Sequence, residues 1–401
     1  MLNYFWWYSI SWALVLFLYS LNFADFSSGL DFGIVIFAII TSIISGVFGY
    51  VFRKEFSFFK EAKENKKESR TKEDKQYNGF KGNFLFVLPV VIVFFFSVIE
   101  FIIIRQVPFI EVVFLRDAFY QDVEFIPLYH VALIATATYL AVWYFYRVIV
   151  SKQRRKIAIC CYVALMLLFL LYLMRSGIMI VGFISILMLS AYLLSKVGIK
   201  LKYVLITFAV IIAGLFGFGV FGNARHGYDW NDHSFIEEIG LYDKWPAFIP
   251  RQLMWSYSYV TTPLANLNYN TNNVYSDDFN VVGIISELLP DTISKRIVNE
   301  KVKVDLVKSY FTASTGYARS YIYGGYFGLY FMFMFLMGIG VLGVFIKKAY
   351  RSEPFIIFSG FLSATYLLMT FDNMLAYVGL SIPLWVSFFV LVFSSKRKAK
   401  K

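Results

Sequence analysis

Ten apolar windows, each roughly 18 to 22 residues long, divide this chain and leave it few ways to fold. They fall at about 3–22, 32–52, 84–104, 128–149, 157–174, 177–195, 203–222, 319–345, 355–371 and 375–393. A helix of that length crosses about 30 Å of hydrocarbon. At 59% hydrophobic and 16% charged, with mean hydropathy +0.63, the 401 residues carry more apolar surface than a soluble domain can hide. The sequence therefore predicts an all-α polytopic membrane protein of about ten transmembrane helices. Met1 to Ser20 lacks a basic n-region and a small-residue cleavage site, so it reads as the first span.

The net charge of +12 follows topology. With the N-terminus inside, segments 53–83, 147–156, 196–202, 346–354 and 394–401 are cytoplasmic. They hold 26 of the 38 Lys and Arg but only 7 of the 26 acids. That is the positive-inside pattern, and it argues against a nucleic-acid partner. Both termini are then cytoplasmic. Three parts follow: a bundle of seven helices over 1–222 with a solvated linker at 53–83, a large external loop over 223–318 carrying short helices, and three helices with a basic tail over 319–401.

Charges inside or beside the apolar windows are the informative ones. Glu100 lies one turn inside the third window, where it either faces protein or snorkels to the surface. Segment 105–127 reads as an amphipathic piece on the outer leaflet. From Ile157 to Ser195 the chain is apolar except for Arg175. As one helix those residues would run nearly 60 Å, so they must fold back, and Met174 to Gly177 is the only breaker. Arg175 is then either an interfacial anchor or a fixed cation for an anionic ligand.

In the large loop, Pro250 to Ala265 reads as a short helix or re-entrant piece, and the asparagine-rich run Asn266 to Asn273 as turn. Gly283 to Val298 reads as an amphipathic helix interrupted at Pro290. Lys295, Arg296, Lys301, Lys303 and Lys308 form a solvated basic stretch. The glycines of 316–343 read as points of close helix approach.

No Gly-rich phosphate loop, HExxH, CxxC or GxSxG is present. Vicinal Cys160 and Cys161 imply no disulfide framework. His226 and His233, with Asp229 and Asp232 between them, lack a diagnostic metal spacing, so no metal or other cofactor is expected. Arginine usage says more: seven of the twelve external basic residues are Arg, against seven of the twenty-six cytoplasmic ones. Arg is favoured where planar, bidentate binding of phosphate or carboxylate matters. Arg175, Arg225, Arg251 and Arg319 all lie at helix ends or in the adjoining loop. Trp255, Tyr257, Tyr259 and Asn266 fit sugar recognition, although belt aromatics are the ordinary alternative.

This topology, the MRSG hairpin, the segment SYSYVTTPLANL and the re-entry GYARSYIYGGYFGLYFMFMFLMGIG together resemble the O-antigen and capsule oligosaccharide repeat-unit polymerases of the Wzy type. The resemblance implies transfer of a growing glycan from one undecaprenyl pyrophosphate to the sugar of another lipid-linked unit. It implies the outer face of a bacterial plasma membrane, no nucleotide sugar, and a flippase and chain-length regulator as partners. The family's external arginines fall on Arg175 first, then Arg225, Arg251 and Arg319. Where many relatives carry an acid beside the re-entry FG, this chain has Tyr326. An acid or histidine would accept the acceptor hydroxyl's proton, with His226, Asp229, Asp232, His233 and Glu237 as candidates. An O-antigen ligase, a lipid-linked monosaccharide transferase and a transporter or flippase of lipid-linked sugars are the competing readings.

Overall fold

The computed structural model describes residues 2–27, 29–56, 80–111, 124–151, 153–197, 201–225, 228–240, 244–273, 279–349 and 352–396. Most of the predicted linker, the centre of segment 105–127, and His226 lie outside them. So do the side chains of Arg175 and Arg225. Among the described residues all regular structure is helical: α1 (Tyr4–Ser20), α2 (Phe32–Val51), α3 (Phe80–Ile104), α4 (Tyr129–Val150), α5 (Arg155–Leu171), α6 (Arg175–Val197) and α7 (Leu201–Arg225) come first. Four helices of the large loop follow, α8 (Ser234–Gly240), α9 (Leu253–Asn273), α10 (Val281–Ser286) and α11 (Asp291–Ser294), then α12 (Ala318–Ala349), α13 (Ser352–Leu368) and α14 (Val378–Lys396).

Each apolar window coincides with one of these helices. Five are long and apolar enough to cross a membrane, within α2, α3, α4, α6 and α12. Shorter apolar helices occupy Glu353–Leu368 and Val378–Ser394. The protein is a helical membrane protein.

The first helix is the hub. Tyr4, Phe5, Tyr8 and Trp12 are fully buried, and they meet Phe37 of α2, Phe333 of α12 and Tyr366 of α13 edge-on or tilted. A buried phenol needs a partner for its hydroxyl. Tyr4 donates to the Gly340 carbonyl at 2.6 Å, Tyr8 to Thr41 Oγ1 at 3.1 Å, and Tyr317 to the Tyr8 oxygen at 3.0 Å.

The hairpin between α5 and α6 exists, but its reversal comes slightly earlier than Met174 to Gly177. Leu173 adopts φ 54°, and the Met174 N–H closes on the Phe169 carbonyl at 2.8 Å, a left-handed helix stop. Arg175, Ser176 and Gly177 already belong to α6. Glycines in α12 do more than permit packing. Gly325, at φ 57° and ψ −146°, breaks the helix in a conformation open to glycine alone. The carbonyl of Tyr323, just before the break, instead accepts from Asn280 N–H at 2.8 Å.

Contacts sort the connections into two ends. At one end Arg147 pairs with Glu353 at 2.9 Å and Lys347 with Glu55 at 3.3 Å. At the other, turn 21–31 and loop 369–377 meet the large loop, and loop 369–377 reaches the start of α6 through Tyr377 and Ser176. Glu100 does not snorkel: it is fully buried, accepting from Tyr172 Oη at 2.8 Å with His130 Nδ1 at 3.1 Å.

Candidate functional site

The spine of the site end is α9, and its asparagines overturn the expected turn. Asn266 to Asn273 is helical, because buried tertiary partners outweigh asparagine's local preference for turns. Asn266 donates to the Phe311 and Ala313 carbonyls at 3.1 and 2.7 Å and accepts from Val307 N–H at 2.8 Å. Asn270 exchanges both bonds with the Asp305 backbone, at 2.8 and 3.1 Å. Asn268 does the same for the opposite strap, bonding the Gly29 carbonyl and Asp31 N–H at 3.1 and 2.7 Å. These carboxamides stand in for a neighbouring strand along extended chain that has no sheet to join.

The strapped segment is then pressed onto loop 369–377. Gly316 N–H donates to the Met369 carbonyl at 2.8 Å, and a Cβ on Gly316 would lie 3.1 Å from the Asp372 carbonyl oxygen. Between this segment, α9 and the loop opens a cleft of about 250 Å³, walled by Tyr259, Thr262, Tyr310, Phe311, Phe371 and Asp372. The rings of Tyr259 and Phe371 lie nearly parallel, 6.2 Å apart, and Phe311 stands edge-on to Tyr259. The Thr262 hydroxyl is buried and has no hydrogen-bond partner, as are those of Ser314 and Thr315 nearby.

Behind Asp372 sits a knot of charge. Glu287 is fully buried and receives Asn373 Nδ2 at 2.8 Å, Lys301 Nζ at 3.1 Å and Arg319 at 3.9 Å. Lys301 also holds Asp291 at 2.7 Å. The basic stretch is thus only partly solvated: Lys301 is drawn into this knot, and Lys308 pairs with Asp25 at 3.0 Å. Arg319 is not saturated, since its buried Nε lacks a partner. Burial raises the Asp372 carboxyl above its ordinary range. The Asn373 N–H and Arg319 pull it partly back, while Asp291 and Glu287 push it up.

A second cleft of about 310 Å³ lies at the N-terminal end of α9, lined by Glu237, Trp245, Ile249, Arg251 and Met254. Arg251 pairs with Glu237 there at 2.7 Å, largely exposed. Met254 and Thr262 are eight residues apart on the helix, so the two clefts lie about 12 Å apart along its axis.

The other expected site residues are distributed as follows. Trp255 donates to Asn223 Oδ1 at 2.6 Å, and Asn223 also lies 3.4 Å from His233 Nδ1. His233 is buried; that burial, and then Arg251, lower its pKa, with Glu237 and Asp232 opposing. Asp232 is held below the usual carboxylate range by Ser234, whose hydroxyl and N–H donate at 2.7 and 3.0 Å. Asp229 is exposed. Tyr257 is buried, its hydroxyl between Phe23 N–H and Ser27 at 3.2 and 3.3 Å. Trp255, Tyr257 and Asn266 therefore spend their polar atoms on the scaffold, and of the four aromatic and asparagine candidates only Tyr259 lines a cleft. Arg251 lines the second cleft, whereas Arg319 lines neither and belongs to the Glu287 knot. Arg175 opens α6, and the adjacent Ser176 receives the Tyr377 hydroxyl at 2.6 Å. Arg225 closes α7.

Sequence reading missed Asp372, Asn373, Glu287 and Lys301. One signal was present: Asp372 is the sole charge between residues 354 and 395, the counterpart of Arg175 in its own apolar run. The chain matches no family model, no curated protein and no solved structure.

Proposed function

We propose that this protein polymerises lipid-linked oligosaccharide repeat units, moving a glycan from one polyprenyl pyrophosphate to the sugar of another. One observation carries the reading: Asp372 lines an aromatic-walled cleft at the ends of apolar helices, and Arg319, whose Nε has no partner, lies in the charged knot behind it, near enough to act on its carboxyl. The reaction needs a cation for a pyrophosphate leaving group, a surface for a sugar, and a location at the membrane rim.

In this reading the chain makes ten spans with both termini in the cytoplasm, and 223–318 faces outward from a bacterial plasma membrane. Arg319 and Arg175 grip the donor pyrophosphate. A guanidinium offers two parallel N–H bonds to phosphate and offsets charge developing on the leaving oxygen. Because arginine supplies that charge, no resident metal is required. Undecaprenyl-linked units arrive from a flippase, and a chain-length regulator sets when extension stops.

The test is a strain lacking this chain, complemented with wild type or with Arg319→Lys at matched protein level. Loss of polymer, with single lipid-linked units accumulating on the outer leaflet, is the expected phenotype. Wild type should restore the ladder and Arg319→Lys should not. Units trapped on the inner leaflet would point to a flippase. Long glycan left on its lipid would point to a ligase.

A further inference from the structure

We propose that the cleft between α9 and loop 369–377 holds the sugar of the acceptor unit, and that Asp372 takes the proton of its attacking hydroxyl. This rests on the polymerase reading above and identifies the acceptor subsite within it. The cleft's 250 Å³ gives room for a sugar ring.

Its walls match that occupant. Tyr259, Tyr310 and Phe311 present apolar ring surface to the C–H face of a pyranose. Thr262 offers a buried hydroxyl that no protein group satisfies. A buried hydroxyl without a partner is costly, and a sugar hydroxyl would complete it.

Four proton-acceptor candidates of the large loop are less suited to the role. Asp229 is exposed, away from either cleft's walls. Asp232 is committed to Ser234, and Glu237 is neutralised by Arg251. His233 is buried against Asn223. Asp372 lines the cleft, with one carboxylate oxygen held by Asn373 N–H at 2.7 Å. Desolvation makes it more basic than a surface aspartate, which suits a proton acceptor working near neutral pH.

The step balances within the two substrates. The acceptor oxygen bonds to the donor's anomeric carbon while the bond from that carbon to the pyrophosphate oxygen breaks. The electron pair leaves with the pyrophosphate, beside Arg319. The hydroxyl proton passes to the Asp372 carboxylate and then to water.

The experiment uses membranes containing the full chain and their own lipid-linked oligosaccharide, supplemented with the same units extracted from the strain lacking it. Initial polymerisation rate is read against acceptor concentration and pH for wild type, Asp372→Asn, Asp372→Glu and Thr262→Val. Thermal unfolding of each solubilised protein is followed in parallel. Asp372→Asn should slow the rate about 100- to 10,000-fold without lowering the unfolding temperature, because a desolvated carboxylate is removed. Asp372→Glu should recover part of the rate with a displaced acidic limb, and Thr262→Val should raise KM more than it lowers kcat. An Asp372→Asn rate within threefold of wild type overturns the assignment. So does a loss that tracks a lowered unfolding temperature and is not relieved by Asp372→Glu. If wild type itself makes no polymer from these units, the polymerase reading fails, an outcome distinct from failure of the subsite.

Discussion

The Tyr377 hydroxyl donates to Ser176 Oγ at 2.6 Å, joining the tips of two hairpins at the site end. Each hairpin is an apolar run with a single charge, Arg175 over 157–195 and Asp372 over 354–395. Their signs are opposite. On the proposed function, the residue meant to hold a departing phosphate and the one meant to take a hydroxyl proton thus belong to linked hairpins.

Arg175→Lys separates a phosphate ligand from an interfacial anchor. Loss of a bidentate contact felt in the transition state should cost roughly 2 to 4 kcal/mol, about 30- to 1000-fold in rate. Protein level in the membrane should be unchanged. Lysine snorkels as well as arginine, so an anchor would tolerate the change. Near-normal polymer from Arg175→Lys at matched expression would remove Arg175 from the site.

Asn266→Leu addresses stability. The side chain satisfies three backbone groups on segment 307–313, and leaving buried polar groups unpaired costs about 1–3 kcal/mol each. The solubilised protein should unfold at a clearly lower temperature. Activity per folded molecule should fall as well, since the same segment walls the acceptor cleft. Unchanged melting would mean that α9 does not hold the strap.

His233 predicts a pH dependence. Its folded pKa is lowered by burial, so the unfolded chain binds the extra proton first as pH falls through about 6.5. Stability held by the neutral ring is complete above that value and declines below it. The unfolding temperature should drop on acidification from about pH 7.5 to 5.5, a range spanning that ordinary value, and His233→Gln should flatten this part of the curve. Equal slopes in the two proteins would show that the ring titrates normally.

Cysteine labelling tests orientation. Single cysteines at exposed Asn231 and Asn272 should react with an impermeant reagent added to intact cells, and ones at Ser151 and Ser394 should be protected. The reverse pattern would turn the protein over in the membrane.

Helix positions were legible because hydrocarbon tolerates only backbone that pairs within itself, which forces long apolar windows. The hairpin at Arg175 was legible for the same reason, since no single helix could be so long. The asparagine run was misread as turn because its decisive partners lie 35 to 47 residues away along the chain for Asn266 and Asn270. Composition reports local preference, and here a distant strap outweighs it. Glu287 and Lys301 resembled ordinary loop charges for the same reason: their pairing depends on how α10 meets the 369–377 loop, a relationship no local pattern encodes. Asp372 was different. It is a lone charge in an apolar run, the same local signal that marks Arg175, and it needs no distant partner to be read.

The Glu100, His130 and Tyr172 cluster bears on how the chain is made. Its three members come from α3, the start of α4 and the end of α5, so α3 emerges from the ribosome with its carboxyl unsatisfied. An acid at the centre of the hydrocarbon costs about 3 kcal/mol, and less toward the rim. The third segment should therefore be held at the translocon until the next two are synthesised, and the three should partition into lipid as one unit. Truncated chains ending after Ile104 should insert less completely than chains ending after Met174, and Glu100→Leu should abolish the difference.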